Sequence, residues 1–496
     1  MCEVSSSDDS QFMTKKSSIS TTGRKCMKCE EKAVLLIRIN DAFCRNCFIQ
    51  YMTHKFRSAI GKGRLILYDE KVLLAYSAGH SSCAMLHLVQ QGFLEHVHKK
   101  LRFIPYLAHI DEGAVTDQTA DQRTARRQEI ASRLQNTGIP FDIVSLEKVM
   151  SLMDGEYLTE EPIDLISSHN ESSSDTKEAQ VGDTCSQSSD PATSSVAGCA
   201  CADDLSNQMA SLGINGLAGK LRKLIESTKT LTAKEDLLWR LRNQLLVKVA
   251  RQRGCSKIML ADSGTLVSVR ILANISQGRG AALPLDTGFI DRRLGDIAFI
   301  RPLKEFTKKE IVLYNNFHNV QSMFVPSLTT KAGSEASINL LTEEFVNGLQ
   351  ADFPSTVSTI CRTGEKLGTD GSLSQDICLL CKASLDTSVP EASALNATNF
   401  SLSLSKTCRS KMARSQPSSG NQKQCCGEGD GSCQSNKISK ITMEDVESHL
   451  CYGCRVTIRD VTDVNLLPTH LTAAVEKTAR RSKMKEEIQE FLLPDD

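Results

Sequence analysis

The sequence predicts an α/β fold, a parallel sheet with helices on its faces, flanked by two cysteine-rich modules. Three observations predict it. Apolar strand-like runs alternate with helical stretches over 65–150 and again over 233–350, a rhythm that builds parallel sheets. C-x-x-C pairs stand near both ends of the chain. Polar, low-complexity stretches separate the ordered pieces. The 496 residues carry 59 basic and 59 acidic side chains, a formal net charge of +0. That balance excludes a uniformly basic nucleic-acid binder and leaves room for a local basic face. Hydrophobic residues are 40% and charged residues 24%, ordinary for a globular protein. The first residues, M-C-E-V-S-S-S-D-D-S, lack the apolar core of a secretory signal. No apolar run approaches the ~18–20 residues that span a bilayer, so the expectation is an intracellular chain with no membrane partner.

In chain order, residues 1–22 are polar and expected to be disordered. Residues 23–60 hold two C-x-x-C pairs and a basic helical stretch, I-Q-Y-M-T-H-K-F-R. Residues 61–166 form the first part of the α/β domain. Strands are expected at Val72–Tyr76, Phe103–Ile110 and Phe141–Ser145, with an arginine-rich helix over 120–137. Residues 167–207 have almost no large apolar side chains and cannot offset the entropy of ordering, so they read as a disordered insert. Residues 208–350 complete the domain, with helices near 233–252, 264–276, 307–317 and 338–350 and strands at Lys257–Ala261 and Ile297–Pro302. Residues 351–496 form a C-terminal helical and cysteine-bearing module, interrupted by a second low-complexity stretch at 385–440.

Cys26, Cys29, Cys44 and Cys47 form two C-x-x-C pairs joined by a short strand-like segment. In a reducing compartment such spacing favours a metal over disulfides, and four thiolates suit tetrahedral zinc. A closed four-cysteine site leaves no open position, so its role is structural. Cys378, Cys381, Cys451 and Cys454 repeat the pattern across the second insert, and a long flexible loop adds little closure cost. The expectation is two structural zinc sites. Cys185, Cys199, Cys201, Cys425, Cys426 and Cys433 lie in low-complexity sequence and read as thiols with no fixed role.

Between the first strand and a helix lies S-A-G-H-S-S: Ser77, Ala78, Gly79, His80, Ser81 and Ser82. A phosphate loop aims backbone N–H groups and a helix N-terminus at an anion, and glycine allows close approach. The residues alone fit either such a loop or a bare strand-to-helix turn. In length and position the loop resembles the S-G-G-x-D-S "PP-loop" of ATP pyrophosphatases. Further stretches narrow the resemblance: D-A-F-C-R-N-C-F, T-H-K-F-R, H-I-D-E-G, L-A-D-S-G-T-L-V-S-V-R-I-L-A-N-I-S-Q-G-R-G, I-R-P-L-K-E-F-T-K-K-E-I-V-L-Y and the closing C-Y-G-C. Together they cover most of the ordered sequence and are similar to the cytoplasmic tRNA 2-thiolation protein 2 family. The resemblance implies a Rossmann-like parallel sheet of the PP-loop (adenine nucleotide alpha hydrolase-like) type, flanked by N-terminal and C-terminal zinc-ribbon-like modules. It implies a cytoplasmic subunit that pairs as a heterodimer with a catalytic thiolation subunit. The resemblance further implies that the pair converts the wobble uridine of the lysine, glutamate and glutamine tRNAs to its 2-thio form, with sulfur from a thiocarboxylated ubiquitin-related modifier protein.

The departures from catalytic members concern the chemistry itself. Ala78 adds a Cβ where backbone should approach phosphate, and Ser81 replaces an acid. Lys234–Arg242 carries Trp239 but no cysteine, and Asp291–Ile300 lacks the further active cysteine. The family's G-H-N-x-D-D is replaced by Leu260–Thr265. Sulfur transfer needs adenylation of the uridine oxygen and thiolate ligands, so the expectation is a non-catalytic or degenerate subunit, with ATP binding left open. Cys83 and Cys255 stand near the loop and the later strand, as pocket thiols or as small buried hydrophobes. The segment 270–310 holds eight basic residues against five acids. Arg279, Arg292, Arg293, Arg301 and Lys304 are the candidate tRNA contacts within it, against the alternative of an ordinary solvated surface. Arg123, Arg126, Arg127 and Arg133 on the 120–137 helix, and His54, Lys55 and Arg57, invite the same reading, whereas His109 reads as a strand-end packing residue.

Overall fold

A computed structural model of the chain describes residues 23–37, 41–61, 65–94, 100–116, 118–152, 216–367, 377–385 and 441–489. The stretches expected to be disordered, 1–22, 167–207 and all but Leu385 of 385–440, lie outside these residues, as do the six low-complexity cysteines.

The N-terminal module is a small antiparallel pair, β1 (Leu35–Leu36) and β2 (Ala42–Phe43), followed by helix α1 (Arg45–Gly61). The α/β domain then runs β3 (Lys71–Ala75), α2 (His80–Phe93), β4 (Ile104–Asp111), α3 (Ala120–Gln135) and β5 (Phe141–Ser145). After a helix over 216–227, α4, come α5 (Leu231–Gln252), β6 (Lys257–Met259), α6 (Gly264–Ser276), α7 (Leu283–Thr287), β7 (Ile290–Asp291), β8 (Ala298–Ile300) and α8 (Lys308–His318). Helices α9 (Ile338–Asp352) and α10 (Thr356–Lys366) complete the domain. The C-terminal module contributes short helices at Met443–Ser448 and Tyr452–Ile458 and a long one at Thr469–Gln489.

Six strands form one sheet in the order β5-β4-β3-β6-β8-β7. All neighbours are parallel except the short edge strand β7, which runs antiparallel to β8. Because both faces are covered, the central strands carry apolar side chains toward both faces rather than alternating. Val72, Leu74, Leu107 and Met259 pack on one face with α1, α2, α3 and α8. Leu73, Ala108, Ile258 and Phe299 pack on the other with α5 and the C-terminal module. Side-chain caps set where helices begin: Thr119 with Gln122 for α3, Ser263 for α6, and Thr307 with Glu310 for α8. A third cluster, with Val267, Ile271, Val346 and Val357, fastens α9 and α10 to α6.

Candidate phosphate loop and metal centres

Strand order reverses between β3 and β6, and open α/β sheets bind ligands outside the C-terminal strand ends at such a point. Ser77–Ser82 leaves β3 there, and Leu260–Thr265 leaves the neighbouring β6. The strand, loop and helix are therefore as expected, but the loop's internal bonding is particular. Ala78, wholly buried, takes a left-handed conformation with φ of 60°. Its carbonyl accepts from Met323 N at 2.8 Å and from Cys83 Sγ at 3.3 Å. The Ser77 hydroxyl donates to Ser82 Oγ at 3.2 Å, and Ser82 donates to the Gly79 carbonyl at 3.0 Å. Asn315 donates to the His80 carbonyl at 2.8 Å, while Ser322 Oγ lies 2.9 Å from His80 Nδ1. Gly79 caps α2 with no side-chain bond, so the helix keeps its amide-rich N-terminus. The carbonyls of Ala78, Gly79 and His80 and the hydroxyls of Ser77 and Ser82 are thus all engaged within the protein.

The surrounding groups are tied as firmly. Asp262, after β6, accepts from Arg270 at 2.8 Å and Arg301 at 3.2 Å. Burial opposes its charge, but the two guanidiniums hold its carboxyl below the usual range. His109, buried, places Nδ1 2.8 Å from the Tyr76 carbonyl, a strand-end packing role. Cys83 and Cys255 are buried, and burial pushes the first thiol up and the second up to about 11. Such buried thiols carry little thiolate at neutral pH, which disfavours a nucleophile and matches the small buried hydrophobe.

The eight predicted ligands come together as two four-sulfur groups. In each, all four Sγ atoms lie within 4.8 Å of one another. Sulfur separations of 3.5 Å for Cys29–Cys44, 3.6 Å for Cys47–Cys29 and 3.7 Å for Cys381–Cys451 exclude disulfides. They approach the ~3.8 Å edge of a tetrahedron with metal–sulfur bonds of about 2.3 Å. The backbone amides of Lys28 and Cys47 each approach a cysteine sulfur at 3.4 Å, as around a thiolate. The donor set fits a closed tetrahedral metal such as zinc. The two centres are built alike: in each, the first pair sits in a turn clamped by an isolated bridge, Lys25↔Lys32 or Ile377↔Ser384. In each, the second pair spans the first turn of a helix, at Arg45–Gly61 or Tyr452–Ile458, whose positive end favours thiolates. The basic helical stretch expected after Cys47 in fact begins at Arg45, inside the second pair. The centres lie on opposite faces of the sheet, Cys26 and Cys44 in one core cluster and Cys378, Cys381 and Cys454 in the other.

The basic residues of 270–310 are placed differently from the accessible face expected. Arg279, Arg301 and Lys304 are 5%, 1% and 4% exposed, and Arg293 is mostly covered. Arg279 pairs with Asp236, Arg301 with Asp262, Arg293 with Asp286 and Asp291, and Lys304 with Glu365. A guanidinium enclosed by protein and neutralised by carboxylates has no face to offer a phosphate backbone. Arg292 alone of the five is exposed. Arg123 and Arg127 of α3 likewise turn to Asp111, and Arg123 also to Glu147.

A doubly wound α/β protein with a phosphate-type loop at its switch point and a four-cysteine centre on each face is the class these features define. The model of the family described as cytoplasmic tRNA 2-thiolation protein 2 matches residues 337–456, which include the second cysteine centre. The chain is 42% identical over 501 residues to cytoplasmic tRNA 2-thiolation protein 2-A of Xenopus laevis, covering 96% of this chain and 95% of that one. It is 42% identical over 493 residues to the Danio rerio protein, covering 96% of each. The chain belongs to the cytoplasmic tRNA 2-thiolation protein 2 family. Among solved structures it is similar to the U34-tRNA thiolase NcsA from Methanococcus maripaludis, determined with its 4Fe-4S cluster, at 14% identity and a TM-score of 0.47, covering 73% of this chain and 93% of that one. No helix among the described residues is long and apolar enough to cross a membrane.

Proposed function

We propose that this chain is the supporting subunit of a cytoplasmic tRNA 2-thiolation complex. It pairs as a heterodimer with a catalytic subunit that thiolates the wobble uridine of the lysine, glutamate and glutamine tRNAs. The sulfur comes from a thiocarboxylated ubiquitin-related modifier. Zinc occupies both four-cysteine centres and holds the modules on either face of the sheet. Arg292 contributes to the tRNA-facing surface, while Arg279, Arg293, Arg301 and Lys304 support that surface from within.

The observation that carries the reading is the loop of a chain in a thiolation family. Ala78 supplies the left-handed residue, Ser81 brings no charge, and the Ser77 and Ser82 hydroxyls bond within the loop itself. Adenylation needs charge stabilisation at a transferring phosphoryl group, and this loop brings no charged side chain to it. The test is thiolation of a wobble-uridine tRNA by purified chain, with and without the catalytic subunit, read on a mercury-containing gel. The expected result is activity only with the partner, unchanged by Ser77→Ala with Gly79→Trp in this chain. Activity lost on those substitutions in an assembled complex, or ATP binding by this chain that they abolish, would overturn the reading.

A further inference from the structure

Two arginines that look like surface charges in the sequence reach into the second cysteine centre. Arg279 donates to the Gly453 carbonyl at 3.0 Å and bonds Thr457, so it grips the Cys451–Cys454 turn from behind. Arg293 donates to the Cys381 carbonyl at 3.0 Å and so holds the Cys378–Cys381 turn. Each is anchored to the α/β domain by carboxylates. Arg279 pairs with Asp236 of α5, which also accepts from Thr457 at 2.8 Å. Arg293 donates to Asp286 at 2.6 Å and to Asp291 at 2.8 Å.

The surfaces are shaped for this contact. A Cβ on Gly453 would stand 2.5 Å from Arg279 Cγ, so the glycine between the two cysteines makes room for the arginine stem. Reciprocally, a Cβ on Gly278 would stand 2.8 Å from the Tyr452 ring, and Gly278 has φ of +71°. Gly278–Arg279 and Tyr452–Gly453 thus interlock, each half supplying one glycine and one large side chain. Charge fits as well: four thiolates around a divalent cation leave a net negative centre, and burying it requires cationic neighbours. Arg279 and Arg240, 5% and 4% exposed, both lie within electrostatic reach of Cys454.

We propose that Arg279 and Arg293 are positioning residues of the second metal centre, each fixing one C-x-x-C turn to the α/β domain, so that metal retention there depends on the domain. The inference rests on the reading that Cys378, Cys381, Cys451 and Cys454 hold a metal. Partners that orient ligands typically alter metal affinity by about 10–100-fold when removed.

The test uses full-length zinc-loaded protein in two backgrounds, one with Cys26→Ser and Cys29→Ser, the other with Cys378→Ser and Cys381→Ser, so that each centre is read alone. Zinc transfer to a chromogenic chelator is timed, and the cobalt–thiolate charge-transfer band is recorded after metal exchange. Arg293→Met, Arg279→Met and Gly453→Ala should accelerate release from the second centre by about ten-fold or more and alter its cobalt band. Arg293→Lys, which keeps the charge but not the fork, should fall between Met and wild type. The first centre should release zinc at the wild-type rate throughout, and Arg292→Met should change neither. If Arg279→Met does not fold, Arg293→Lys and Gly453→Ala carry the same comparison. Unchanged release, or equal acceleration at both centres, would overturn the proposal while leaving the metal reading intact. No zinc at all in the first background would overturn both.

Discussion

Ala78 occupies backbone that glycine adopts freely and alanine only at a cost of roughly 1 kcal/mol. Its neighbour Gly79 has φ of −78°, and an added Cβ would meet only Ser77 Oγ at 3.6 Å. The glycine surviving in the loop is therefore not the one the chain's geometry needs. Gly264, at the start of α6, is: a Cβ there would stand 2.5 Å from the Lys304 backbone carbonyl, which cannot swing aside. Gly79→Ala should consequently change stability by less than about 0.5 kcal/mol, and Gly264→Ala should cost about 1–3 kcal/mol, by urea denaturation. Equal costs at the two positions would contradict this account of the loop.

Helices α2 and α8 meet through a cluster whose charge state depends on pH. His87 Nδ1 lies 2.8 Å from the Tyr314 hydroxyl, and the His87 and His318 rings stand 4.6 Å apart. Burial first, and then the neighbouring His318, push the His87 pKa down to about 4; burial and Arg45 also lower His318. A base with a depressed folded pKa stabilises the fold fully above its unfolded value near 6.5, and this contribution is lost as pH falls toward 4. His87→Gln should flatten the fall in urea midpoint between pH 6.5 and 4 relative to wild type; parallel curves would contradict this. Elements such as the helix Gly264–Ser276 and the strand Phe141–Ser145 were legible in the sequence, the helix because its cap and period coincide and the strand because a short run rich in β-formers stands between turn residues. The cysteine groups were legible because ligand spacing is local. The arginine assignments were not, because their partners are distant: Arg279 meets Asp236 and Gly453, and Arg301 meets Asp262. Charge density along a segment cannot distinguish a solvated face from an interior ion-pair network whose acids lie elsewhere. The edge strand Ile290–Asp291 is two residues long, too short to carry a period.

Across the whole molecule, the sheet separates two cores, and each contains one cysteine centre. The first centre starts α1, whose Phe48, Met52 and Phe56 are wholly buried against the α2 and α8 face. The second joins α5 to the helix beginning at Thr469, through neighbours such as Leu241, Leu467 and Leu471. Metal loss at one centre should therefore loosen one face before the other, since stability is distributed in local cooperative units. Hydrogen exchange after Cys378→Ser should rise in Tyr452–Ile458 and in α5 around Leu241, with α1 and α2 near wild type. Cys44→Ser should show the converse, with exchange rising in α1 first. A uniform rise over both faces in either variant would mean that the sheet does not insulate the cores.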